Sequence, residues 1–264
     1  MRRLLVVGGV VATCLAVAAA VAFAANNTVN YTVKLSPAHP KPKAGKPANI
    51  GYEGILDVKT TDGTQPDTGA KTTLYFPKQL INNAKKFPSC KPSDIDSKDT
   101  FPSKCKAAIV GAGTANSEAP TPGQPPNPAL AESLKVTAMN GDKGKTLMLI
   151  LNASTPVQIL NRVIPGKLGP GGGAFGYTVT FTVPADLQNI AGAQIALAHF
   201  DVKISAKKTA KVGKKKVSYL QLKACPSSGK LPTKTFIDFD NSAGASTGTP
   251  PAGADVTATG TMSC

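Results

Sequence analysis

The sequence predicts an all-β protein, a predominantly antiparallel β-sandwich of immunoglobulin-like or jelly-roll-like type with about a dozen short strands and one short helix. Three observations lead there. Phe175, Tyr177, Val179, Phe181 and Val183 alternate strictly with Gly176, Thr178, Thr180 and Thr182, the period of two that gives a strand one apolar and one polar face. Glycine and proline recur along the chain, 25 and 22 of 264 residues, so turns interrupt the apolar runs before they become long helices. Four of the five cysteines, Cys90, Cys105, Cys225 and Cys264, fall among these strand-like segments and read as disulfides if the chain is exported.

Export is expected from the N-terminus. Arg2 and Arg3 precede an apolar or small-residue stretch from Leu4 to Ala25, and Ala22-Phe23-Ala24 is an A-x-A cleavage pattern. Residues 1–24 therefore read as a secretory signal peptide cut after Ala24, and 25–264 as the sandwich domain of a secreted or cell-surface protein. An uncleaved anchor is disfavoured by the Ala-rich end of the stretch. A lipoprotein site at Cys14 is disfavoured by Thr13 before it and by the apolar run after it. Three disulfide pairings are open to four cysteines. Proximity favours Cys90–Cys105 and Cys225–Cys264, closing loops of roughly 15 and 40 residues worth about 3 and 4 kcal/mol in the loop-entropy model.

Taken in order, Thr28–Leu35 alternates as a first strand. The arm Ser36–Pro47 is too rich in proline for helix or central strand. Asn49–Thr60 and Thr72–Phe76 are strands, the first followed by an Asp62-Gly63 turn and the second ended by Pro77. Lys78–Lys86 is the helix candidate, with Leu80, Ile81 and Ala84 at helical spacing. Ala107–Ala115 reads as a glycine-interrupted strand. Glu118–Pro128, with five prolines, is linker-like, so a sub-division near 117–129 stays open. Ser133–Met139 and Lys145–Asn152 form a hairpin about residues 140–144, its second arm LMLIL apolar on both faces and therefore central. Val157–Ile164 leads through Gly169–Gly173 into the Phe175 strand, and Pro184–Asn189 is a turn or a single helical turn. Gln194–Ser205 changes phase between Leu197 and Phe200, which predicts a bulge at Ala198-His199. Lys207–Lys216 is a basic hairpin tip and Val217–Ala224 its return strand. Thr235–Asp240 and Val256–Cys264 are the last strands, joined by a polar, glycine-rich stretch.

Charge narrows the partners. Removal of the signal leaves 28 of the 30 basic residues and all 15 acidic ones, a net charge of about +13. Arg162 is the sole arginine after the signal, which argues against base-reading or bidentate phosphate recognition of nucleic acid. The cluster Lys207, Lys208, Lys211, Lys214, Lys215 and Lys216 is either a solvated tip that protects a sheet edge or a contact for anionic cell-wall polymer or a membrane surface. The oligomeric state has no signature.

No catalytic, metal or cofactor motif is complete. Gly-x-Ser-x-Gly and His-Glu-x-x-His are missing, and no Cys/His spacing suggests zinc. Gly171, Gly173 and Gly176 match G-x-G-x-x-G, but a strand follows where a phosphate cradle needs a helix N-terminus. Asp94, Asp96 and Asp99, or Asp62 and Asp67, are loop carboxylates of the kind that hold Ca²⁺, though ordinary solvated loops explain them as well. Asp238 and Asp240 share a strand face as a glycosidase pair would. His39 sits in the proline-rich arm. His199, at the expected bulge beside Asp201, is the best nucleus for a hydrolase site, with a rim histidine as the plainer reading. The favoured expectation is a non-enzymatic exported module that binds or builds. A hydrolase near His199 and Asp201 is one alternative, and an apolar-ligand carrier, which needs a cavity between the sheets, is the other.

Some signatures occur together: Phe87-Pro88-Ser89-Cys90, then Cys105 leading into Ile109–Ala115, the run Gly172–Pro184, and Cys225-Pro226 with Gly229 before the Thr235–Phe239 strand and a final cysteine. This layout resembles uncharacterised secreted β-sandwich proteins of actinobacteria over roughly Tyr75 to Cys264. The chain departs from them in having Lys106 after Cys105 and no tryptophan. The resemblance implies fold, export and cysteine pairing, and no activity.

Overall fold

A computed structural model describes residues 27–119, 125–190, 193–239 and 255–264. The signal-like segment, Cys14, Asp240 and most of the glycine-rich connection lie outside the described residues. The first half of the chain gives β1 (Asn27–Ser36), β2 (Ala48–Thr60), β3 (Lys71–Pro77), β4 (Leu80–Asn82), β5 (Ile109–Glu118), β6 (Glu132–Gly141) and β7 (Thr146–Ala153). After these come β8 (Ile159–Pro170), β9 (Phe175–Thr182), a one-turn helix α1 (Ala185–Gln188), β10 (Asn189–Ile190), β11 (Ala193–Gln194) and β12 (Ala196–Ile204). The chain ends with β13 (Thr209–Val212), β14 (Lys215–Ser218), β15 (Leu220–Leu222), β16 (Lys230–Asp238) and β17 (Val256–Ser263).

Thirteen of these strands form one sheet in the order β17-β16-β3-β9-β8-β7-β6-β5-β12-β2-β15-β4, with β1 also paired to β2. The strand pairings in it are antiparallel, as expected. The sheet curls until β1 lies beside β17, with Cα atoms within 8 Å. Sheets packed face to face stand about 10 Å apart, so this approach is side by side. The result is a flattened barrel whose facing walls pack like a sandwich. The proline-rich stretch does not separate two sheets, since Ser117 of β5 pairs with Glu132 of β6 across it.

Alternation builds the walls. Tyr31, Val33 and Leu35 of β1, Leu56 and Val58 of β2, Leu134 and Val136 of β6 and Val179 and Phe181 of β9 all point into one core. LMLIL is central: Leu149 and Leu151 face that core, while Met148 and Ile150 face outward into a second cluster with Ile95, Val163 and the Cys90–Cys105 pair. The loop between those cysteines is thus a third layer over β6–β8. Both expected cysteine pairs are at disulfide distance, with Cα–Cα 5.4 Å for Cys90–Cys105 and 5.9 Å for Cys225–Cys264.

Two expectations fail. Lys78–Lys86 is not an α-helix: Leu80–Asn82 pairs with Leu222–Leu220 as β4, and Ala84–Lys86 is a single 3₁₀ turn. Leu80 and Ile81 are held by the neighbouring strand, and the Asn82 side-chain Oδ1 accepts the Ala84 N–H at 2.8 Å, so tertiary pairing overrides a marginal helical period. Phe175 is not a core residue. A register shift between Phe76 and Pro77 where β3 meets β9 turns it off the inward face, and it packs edge-on to Tyr75 with ring centres 5.4 Å apart.

Candidate functional site: an apolar cavity at one end of the barrel

The two ends of the barrel differ. At one end, Tyr52, Phe76 and Tyr177 fill the interior, Phe76 stacked on Tyr177 with ring centres 4.7 Å apart, and the Tyr31 and Tyr52 hydroxyls share a short hydrogen bond. Burial holds all three tyrosines well above the ordinary phenol pKa. Loop 84–88 seals this end through Asn140.

Toward the other end the walls do not meet. A cavity of about 510 Å³ lies between them, bounded by Leu56 and Val58 of β2, Leu134 of β6, Leu149 and Leu151 of β7, Phe181 of β9, Leu197 and Phe200 of β12, and Ile237 of β16. Leu187 of α1 also contributes. Leu130, Pro156 and Val157 line it yet are exposed, Leu130 at 39% and Val157 at 38%, so they mark its mouth. A volume of this size and lining is in the usual range for a small-molecule pocket.

The bulge in β12 shapes the wall. The pairing with β5 shifts between Leu197 and His199, so both Leu197 and Phe200 point inward, as the change of phase in the sequence requires. His199 is turned outward, its Nδ1 2.7 Å from Asp57 Oδ1, with both side chains about one-third exposed. The pair lies on the opposite face of the wall from the cavity. Asp201 and the Lys203–Glu53 ion pair (2.9 Å) continue along β12 from it.

Other candidates are dispersed. Asp94 pairs with Lys104 at 3.1 Å. Asp96 accepts from Arg162 and from the Val163 N–H, and Arg162 also reaches Asp186. Asp94 lies near the Cys90–Cys105 sulfurs, which are committed to each other. Asp62 caps its own turn through the Thr64 N–H and hydroxyl, which holds its carboxyl below the ordinary range. Asp67 is buried against Asn27, and Asp238 pairs with Lys71. The lysine cluster forms the β13–β14 hairpin, where Lys207, Lys211, Lys214, Lys215 and Lys216 are exposed and Lys208 is half-exposed.

Sequence reasoning did not single out Glu132 or Ser117, both in the cavity wall. Glu132 has the same parity as Leu134 and Val136, and Ser117 the same parity as Ala115. A polar residue in phase with an apolar series was the available signal. Among the described residues no helix is long and apolar enough to cross a membrane. No family model, curated protein or solved structure matches the chain.

Proposed function

We propose that this chain is an exported, non-enzymatic binding protein that carries an apolar small molecule or lipid-like ligand inside its barrel. The observation that carries the reading is the cavity. An apolar space of about 510 Å³ leaves the side chains that line it without packing partners on one side, so a role for the space is more economical than a defect. The signal-like N-terminus and the two cysteine pairs support export, and the resemblance to secreted actinobacterial β-sandwiches belongs to the same reading. The outward His199–Asp57 pair supports a hydrolase less well, because it lies across the wall from the cavity.

The test uses the chain from Ala25 with its disulfides formed, titrated with Nile red, a neutral dye that brightens in apolar surroundings. Saturable binding near one dye per protein is expected. Leu197→Trp, which places an indole in the cavity, should weaken it by about tenfold or more while the circular dichroism spectrum is retained. Absence of saturable binding by the unmodified protein overturns the reading.

A further inference from the structure

The cavity is apolar but not uniformly so. Among the described residues its wall holds two ionisable side chains other than Tyr31, and both are acids: Asp67 and Glu132. Among the described residues no lysine, arginine or histidine lines it, although the chain carries a net charge of +15.

Glu132 stands where a ligand would enter, two residues from Leu130 and bonded to Val157. It is 6% exposed. Its Oε2 accepts the Val157 N–H at 3.0 Å, while its Oε1 is buried with no hydrogen-bond partner. Ser117, 7% exposed, stands beside it in the register of β5 and β6 and also lines the cavity. A buried carboxyl oxygen without a donor is costly, and a donor supplied by a ligand removes that cost. Charge-assisted bonds are the stronger kind.

We infer that the ligand is an amphiphile whose head donates hydrogen bonds, of the aliphatic amine class, with the head held by Glu132 and Ser117 and the tail running inward toward Leu149 and Phe181. A fatty acid is disfavoured by the same wall, because its carboxylate would face Glu132 and Asp67 with no cation among the described lining residues to meet it. This inference rests on the proposed ligand-binding role.

The experiment loads the disulfide-bonded chain from Ala25 with Nile red and displaces it at pH 7 with dodecylamine, dodecanol and dodecanoate, each below its micelle concentration or solubility limit. The expected order is amine, then alcohol, then acid, with about tenfold or more between amine and acid. Non-specific attraction to so basic a protein would favour the acid, so a preference for the amine has to come from the site. Glu132→Leu should bring amine and acid within about threefold of each other, each displacement being referred to the variant's own Nile red affinity. Equal displacement by amine and acid in the unmodified protein overturns the inference whether or not the variant folds. An amine preference that survives Glu132→Leu overturns it too. Failure of Nile red to bind at all overturns the carrier reading first and this one with it.

Discussion

Asn140 ties the loop over the filled end of the barrel to β6. Its amide donates to the Ala84, Phe87 and Pro88 carbonyls at 3.0, 3.3 and 3.0 Å, and its carbonyl oxygen accepts the Tyr219 hydroxyl at 3.1 Å. Asp67 is the opposite case, a carboxyl buried at the cavity. Burial pushes its pKa up, and the hydrogen bond from Asn27 offsets only part of the rise. The unfolded chain therefore releases this proton first as pH climbs. Below the ordinary carboxylate pKa of about 4 Asp67 carries no penalty. The penalty grows with rising pH until the folded pKa is passed, and is constant above it. Asp67→Asn removes the titration, so its stability relative to the unmodified protein should improve between pH 3 and 7, read from urea midpoints at each pH. A difference that is flat or shrinks across that range contradicts the assignment. Neither residue was legible beforehand. Asn140 read as a turn residue and Asp67 as a turn flank, because periodicity reports which face a side chain takes and not which distant carbonyls or walls it will meet.

At the scale of elements the sequence was most readable where alternation was long. β1, β2, the β6–β7 hairpin and the β12 bulge fall where the residues put them, since a period of two with a single change of phase admits few other arrangements. It was least readable where a short segment had competing arrangements, as in Lys78–Lys86, of which β15 captures Leu80–Asn82 as a strand. β5 shows why a glycine-interrupted run can still be a strand. A Cβ on Gly113 would fall on the Asp201 carbonyl oxygen and 2.7 Å from the Val202 Cα, and one on Gly111 would fall on the Lys203 carbonyl oxygen. These glycines let β5 and β12 approach at the wall that carries Phe200. Gly113→Ala should therefore cost about 2 kcal/mol or more, measured by chemical denaturation. Gly172→Ala, whose added carbon meets nothing within 4 Å, should change stability by only a few tenths of a kcal/mol. Equal effects would show that the close approach of β5 and β12 is not what requires glycine.

Across the whole molecule, the cavity and the lysine hairpin separate toward opposite ends. The cavity occupies the end where β2 finishes, at Leu56 and Val58. The lysine hairpin is tied to the end where β2 begins, since the Asn49 side chain bonds the Lys216 carbonyl and accepts the Ser218 N–H at 3.0 Å. The cavity itself was not legible in the sequence, which names inward residues without saying whether opposing walls meet. The hairpin was legible, because charge clustering needs no tertiary information. Their separation means that a surface held by the lysines leaves the mouth near Leu130 and Val157 open. Each lysine close to an anionic surface contributes about 1 kcal/mol, so replacing Lys207, Lys208, Lys211, Lys214, Lys215 and Lys216 with glutamine should lower partitioning onto phosphatidylglycerol vesicles by about a hundredfold or more at low salt. Added salt should erase most of the binding of the unmodified protein, as screening over about 10 Å at 0.1 M requires. Nile red affinity should stay the same in the variant. Unchanged vesicle binding would remove the hairpin as an anchor, whereas a joint loss of vesicle and dye binding would mean that the two ends are not independent.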